Sequence, residues 1–453
     1  MKTKIYLATL LILVNIARGQ NVNITHDGTR FKGEIIKTFP VSDGGALDMK
    51  VSGGDITITG EERNSVEITE AFRINAHTEA DAREILQAEQ TRYLQRGNTI
   101  IIQTSPQRSR RYSSDFKVKI PHEFDLQIST SGGDIDVSMV GGNLNLNTSG
   151  GDIEMFGLKG RMTARTSGGD VSLTRSAGNV TLSTSGGDLA IREFAGDINA
   201  TTSGGDIDLK DVQANGQVST SGGDINLLGV KSKAFKAVTS GGDIGADKID
   251  ADLFLRTSGG DLVIGEIKNN LEAHTSGGDV DIRKVEKNLK ASTSGGDIRV
   301  GVVMGYCELR TSGGDIEIGK TLDLLAYTSG GHILVNGALG TVEAHTSGGD
   351  IETHKLYIKG VSNNSLNLET SGGNILVYVP ENLPANIDAA VIINKHWNTD
   401  AGINSDFPVK IVREEKGSRL YLYGRGVING GGDIIKLRTV DGRIRIIKST
   451  VTK

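Results

Sequence analysis

"TSGGDIDVSMVGGNLNLNTSGGDI", residues 130–153, contains the hexapeptide TSGGDI twice, eighteen residues apart. The Asp of this motif stands at Asp134, Asp152, Asp170, Asp188, Asp206, Asp224, Asp243, Asp261, Asp279, Asp297, Asp315 and Asp350, with His332 and Asn374 in the same slot. The steps are eighteen residues, once nineteen, once seventeen, and twenty-four between Asp350 and Asn374. A period near twenty residues marks stacked units, none of which can bury its apolar face alone.

Counted from the Asp, apolar residues fall at plus one, three, six, ten and twelve, with Thr at plus fourteen. In the coil from Asp188 these are Leu189, Ile191, Phe194, Ile198, Ala200 and Thr202. Alternation with a period of two on either side of plus six predicts two strands per coil, each with one buried face. One corner is Ser-Gly-Gly; the other, near plus eight, carries Gly142, Gly160, Gly178 and Gly196. Glycine suits both, because it tolerates positive φ and close backbone approach. The repeat lacks a 3.6-residue period and is rich in Gly, Thr, Val and Ile, which excludes helical arrays. The expected fold is therefore all-β, a parallel β-solenoid of about thirteen 18-residue coils, right-handed by the general crossover rule. Residue i lies against residue i+18, with Thr166, Thr184 and Thr202 forming a hydroxyl ladder. Cys307, the single Cys, falls at plus ten among Leu and Val and reads as core.

The open ends of a solenoid must be covered. Four regions are expected: 1–19, a signal peptide; 20–129, a small α+β N-terminal cap; 130–379, the TSGGD solenoid; and 380–453, a β-rich C-terminal cap with degenerate repeats. In the N-terminal cap, SGGD occurs once, at 52–55, and returns after a seventy-nine-residue excursion. Inside it, "TEADAREILQAEQTRYLQRG" reads as a helix over about 79–96, with Thr78 as N-cap, Ala82, Ile85, Leu86 and Tyr93 on one face, and Gly97 as stop. Strands "NTIIIQTS" and "FKVKIP" follow. At the other end, "TVDGRIRI" keeps the repeat frame with Arg443 in the Asp slot, as a terminal repeat should, and Trp397 is expected to pack in that cap.

Lys2 and Lys4 precede an apolar run from Ile5 to Ala17, and Ala17 and Gly19 supply the small residues of a cleavage site before Gln20. Export to the cell surface, the periplasm or the medium is expected, with no transmembrane helix in the mature chain. A single Cys excludes an internal disulfide. Removing Lys2, Lys4 and Arg18 takes the net charge from −5 to −8, which argues against nucleic acid as a partner.

The run "KTFPVSDGGALDMKVSGGDITITG", the tandem TSGGDI coils and the closing "GDIIKLRTVDGRIRI" resemble the "putative adhesin" family of secreted bacterial β-strand-repeat proteins, catalogued as a domain of unknown function. The likeness covers residues 37–448. It implies a β-solenoid in or outside the cell envelope, and no catalytic residues.

The Asp column is the most suggestive chemistry. Carboxylates stacked about 4.8 Å apart repel by roughly 1 kcal/mol per pair even in water. Corner N–H groups and neighbouring hydroxyls can compensate. A line of Ca²⁺ ions is the competing reading, but one carboxylate per coil is far from the six to eight oxygens the ion wants. No metal or cofactor is therefore expected. Nearly every corner is four or five residues long, leaving no room for a flank pocket. No GxSxG, HExxH or phosphate-loop motif is present. His332, His345 and His354 lie in consecutive coils and read as solvated surface, as does the "QRSRRY" tip, including Arg108. Outward positions show no aromatic row for stacking sugars. The expected function is a monomeric, non-enzymatic adhesion or binding scaffold for a surface protein or glycan. The alternative is a cell-envelope structural or stress-response module working through a terminal cap; a polysaccharide-active enzyme is third.

Overall fold

A computed structural model describes residues 22–28, 30–105, 109–394 and 400–449. The signal peptide with its cleavage site, Arg108 and Trp397 lie outside the described residues. Among the described residues, forty strands and one helix form two compact units, divided between Val218 and Ser219. The division falls within the repeat array, in the strand Ile207–Ser219.

In both units the coils are parallel β-solenoid turns. In unit one, Ile153–Phe156 pairs parallel with Val171–Thr174, Ile153 opposite Val171. The second strand, Lys159–Arg165, pairs with Ala177–Ser183, Met162 opposite Val180. The step is eighteen residues on both sheets, so every inward column stays in register. In the coil from Asp188 all six inward positions are buried: Leu189, Ile191, Phe194, Ile198, Ala200 and Thr202. Each such aliphatic side chain contributes about 1.5–3 kcal/mol by leaving water. Alternation with the pleat therefore places the core between the two sheets and leaves their outer faces to solvent.

One of the two corners differs from expectation. From Gly132 to Gly373, the Ser-Gly-Gly glycines do not adopt positive φ. What excludes a side chain at the second glycine is proximity to the coil below. Left-handed backbone is found instead at plus five, where Met139, Arg175, Glu193 and Asp211 have φ of 60°, 51°, 52° and 55°. It recurs at plus eight, where Gly142, Gly160, Gly178 and Gly196 have φ of 112–144°.

At the N-terminal end of unit one, spatial order departs from chain order. The strand Ile56–Glu61 lies between Ile135–Ser138 and Tyr112–Pro121, parallel to both. Gly45–Lys50 likewise lies between Phe124–Ser129 and Thr99–Gln103. The SGGD coil at 52–55 is thus directly beneath the one carrying Asp134, and the excursion folds back to build the outer coil. Antiparallel strands Ser65–Asn75 and Arg30–Pro40 then add to Tyr112–Pro121.

The helix covers Glu79–Ala88 rather than 79–96. Thr78 caps it, its Oγ1 accepting the Asp81 N–H at 3.2 Å, and Ala82 and Leu86 are buried. Beyond Ala88, buried Thr91 and Tyr93 alternate with exposed Arg92 and Leu94, and Arg92–Arg96 is a strand. Tyr93 fits a helical face and a strand face equally well by spacing, and its tertiary partner decides. Thr91, Tyr93 and Tyr112 all donate hydroxyl hydrogen bonds to the fully buried Glu70 carboxylate. Gly97 turns the hairpin from this strand into Thr99–Gln103.

Unit two continues the same two-strand coil. Cys307 is fully buried between Leu289 and Leu324, as the spacing predicts. Its C-terminal end repeats the reversal of order: Asp433–Val440 lies between Leu366–Thr370 and Ala385–Asn394. Arg443–Ser449 lies between Ile375–Pro380 and Gly402–Ser405. Arg443 therefore belongs to a penultimate coil, not a terminal one. Beyond Ala385–Asn394 come the antiparallel strands Arg419–Ile428 and Lys410–Lys416.

Candidate functional site

The Asp column resolves into a ladder of charge-assisted hydrogen bonds. Asp134 Oδ1 accepts the backbone N–H of Asp152 at 2.9 Å, and the bond recurs from Asp152 to Asp170, Asp170 to Asp188 and Asp188 to Asp206 at 2.7–2.8 Å. Below Asp134 the ladder passes to Asp55 and then Asp115, which Arg73 holds at 2.7 Å. In unit two it runs through Asp224, Asp243, Asp261, Asp279, Asp297 and Asp315. The slot requires an acceptor pointing up and an N–H pointing down. His332 meets this through Nδ1, which accepts from Asp350, and Asn374 through Oδ1, which accepts from Arg443. Arg443 has no acceptor and sends its guanidinium to Asp400 instead.

The Thr column works through backbone rather than by hydroxyl contact. Thr166, Thr184 and Thr202 each donate to the second Gly carbonyl of the coil below, at 2.8–2.9 Å, and accept from the second Gly N–H of their own coil, at 3.3 Å. A buried hydroxyl with both roles filled avoids a desolvation cost of about 1–3 kcal/mol. Corner chemistry is thus committed to holding coil on coil. Among the described residues, no group of three or more His, Cys, Asp or Glu side chains could hold a metal ion.

The histidines separate. His332 is at the corner, His345 stacks on Tyr327 on one outer face (4.9 Å, 8°), and His354 stacks on Tyr378 on the other (4.1 Å, 18°). Arg310 covers the opposite side of the Tyr327 ring. Rings stacked along a ladder present their edges to solvent, so these rows offer no open face to a sugar. Burial raises the Cys307 thiol far above its ordinary value, which removes it as a nucleophile.

The flanks are not featureless. In unit two the outer face of the first sheet holds a shallow groove of about 820 Å³. It is created by missing side chains rather than long loops, which is why corner length gave no sign of it: Gly245, Gly265, Gly301 and Gly319 occupy outward positions. Across the space over Gly265, Arg283 reaches Asp247 at 3.1 Å. Arg299 ties Asp279, Asp281 and Asp297. Leu228 and Val263, the latter 59% exposed, supply apolar surface. Such a face can bind by shape and scattered polar contacts; its principal charges are already paired.

A family model described as Toastrack DUF4097 matches the chain three times, over residues 44–248, 161–311 and 265–446. No curated protein matches. Among solved structures, a "putative cell adhesion protein" from Clostridium sporogenes is 10% identical, with a TM-score of 0.16, covering 92% of this chain and 100% of that one. A "putative lipid binding protein" from Parabacteroides distasonis is 13% identical, with a TM-score of 0.17, covering 76% and 96%.

Proposed function

From the premise that this chain belongs to the Toastrack DUF4097 family, we propose that it is an exported, non-enzymatic β-solenoid whose outer sheet faces bind a protein or glycan at a surface. The observation that carries the reading is the division of labour within a coil. Corner Asp and Thr side chains are spent on the coil below, whereas outward positions vary freely from rung to rung and are half-buried or exposed. Adhesion by a repeated flank needs a stiff core and a permissive face. In this reading residues 1–19 are a leader, 20–129 and 380–453 are caps, 130–379 carry the binding flank, the Asp column is metal-free, and the protein acts as a monomer.

Removing Val171 to Asp188 deletes one period and joins Asp170 to Leu189 with every column in register. Binding of the purified one-, two- and three-coil deletions to whole cells or extracellular matrix should fall with each coil lost. A flat series would reject the flank and promote the envelope module working through a cap.

A further inference from the structure

The antiparallel sheet at the C-terminal end of unit two has an outer face of unusual charge. Register places Lys410 opposite Arg425, Lys416 opposite Arg419, and Asp388 beside both Arg425 and Lys436. Residues paired across strands share a face, as do residues two apart. Lys410, Lys416, Arg419, Arg425, Lys436 and Arg438 therefore stand together against Asp388 and Glu414, in a chain whose net charge is −5.

Two of these cations are neutralised locally. Arg438 binds Asp388 at 2.6 Å, and Lys416 binds Glu414 at 3.0 Å. Lys410, Arg425, Lys436 and Arg419 have no carboxylate within 4.0 Å among the described residues, unlike Arg283 and Arg299 on the flank. Lys410 and Arg425 are directly opposed, an arrangement that destabilises a sheet. Both line a groove of about 740 Å³ together with Asp388, whose charge Arg438 takes up, and its other wall includes Pro408, Val409 and Val427, the last 63% exposed.

We infer that this groove is a binding site for an acidic polysaccharide, with one carboxylate or sulfate of the chain bridging Lys410 and Arg425. An anion there converts a repulsion into two charge-assisted hydrogen bonds. Lys436 lies two strands from Arg425, about 9.6 Å away by strand spacing, which is about the length of a disaccharide and so suits the next charge of a linear polymer. The aliphatic wall offers contact to the carbon faces of sugar rings. A sheet face with its apolar residues set beside the cations suits a chain lying along it better than insertion into a bilayer. The site is distinct from the flank and does not depend on it.

The test uses the full mature chain with heparin and polygalacturonate as sulfated and carboxylated probes, dextran as the neutral one, and phosphatidylglycerol vesicles. Expected are salt-dependent binding of both acidic polysaccharides, none of dextran, and a loss of about tenfold or more in the Lys410→Gln/Arg425→Gln double variant. The polysaccharides should also raise the melting temperature of the parent and not of the variant. As a control for general charge, Arg92→Gln/Arg96→Gln removes two exposed cations from one strand outside the binding flank and should leave binding unchanged. Equal losses in the two double variants, no binding of either acidic polysaccharide, or vesicle binding that exceeds polysaccharide binding and is lost in the Lys410/Arg425 variant would each overturn the assignment. None of these outcomes touches the coil-deletion series, which tests the flank separately.

Discussion

A Cβ on Gly187 would stand 2.0 Å from the carbonyl oxygen of Gly169 in the coil below, and 2.6 Å from Asp170 Oδ1. One on Gly186 would meet nothing nearer than 3.7 Å. The two glycines of the motif are therefore unequal. Gly187→Ala should destabilise by about 2 kcal/mol or more, because backbone must move, while Gly186→Ala should be near neutral. Thermal melts of the two variants check this, and similar midpoints would refute it.

The ladder predicts a contrast at a single rung. Asp170→Asn keeps the acceptor for Asp188 N–H, relieves repulsion along the column, and should melt at or above the parent temperature. Asp170→Ala leaves that N–H without its acceptor and should cost about 1–2 kcal/mol. If the column carries no metal, chelator leaves the midpoint unchanged, since only a ligand of the folded state could add stability. A fall with chelator that Ca²⁺ restores would show otherwise.

Arg175 and Glu193 occupy left-handed backbone that costs a non-glycine residue about 1 kcal/mol. Their ion pair at 3.0 Å is exposed and contributes little. Arg175→Gly should therefore hold stability or raise it by no more than about 0.5 kcal/mol, once the greater freedom of glycine in the unfolded chain is subtracted. A denaturant midpoint well below the parent would count against it.

Lys355 is buried in unit two, its Nζ donating to the carbonyls of Ala338, Leu339 and Gly340. Burial lowers its pKa from 10.5 to about 8, against the opposing pull of Asp323 and Asp433. Between about pH 8 and 10.5 the unfolded chain holds this proton more tightly than the folded one, so stability contributed at this site rises with pH across that window. Unfolding free energies of the parent, measured relative to Lys355→Met from pH 7 to 10.5, should show that rise, and a fall would reverse the sign.

Cys307, with its thiol form favoured by burial, should resist iodoacetamide in the native protein and react in denaturant. Rapid native alkylation would show that the core opens locally at this coil.

Much of this was legible because a strict repeat measures itself. The inward positions of the coil from Asp188 follow from alternation alone, and Cys307 follows from its column. The reversals at the N-terminal end of unit one and the C-terminal end of unit two were not legible. Nothing local tells Asp55 that its neighbour is Asp134 rather than a residue of the excursion, since pairing partners seventy-nine residues apart are chosen by core fit. Tyr93 satisfied two periods at once, and only Glu70 separated them. The left-handed column hid behind unrelated residue types, Met139, Arg175, Glu193 and Asp211, of which only Asp211 is a usual marker of that conformation. The opposed cations Lys410 and Arg425 come together only through hairpin register, which the sequence "PVKIVREEKGSRLYLYGRG" does not state.

The reversed stacking at the C-terminal end has a temporal consequence. As the chain emerges from its N-terminus, Leu366–Thr370 and Ala385–Asn394 appear first and must wait, one position apart, for Asp433–Val440 to slide between them. These later-made strands are thus a keystone: until they arrive the preceding coil has an open edge and the hairpin sheet has no seat. A chain interrupted before Asp433 would lose the joint and not merely the tip, exposing two edges in place of none. Proofreading by proteases needs such a difference between finished and unfinished molecules, and this order of assembly supplies it without any dedicated degradation signal.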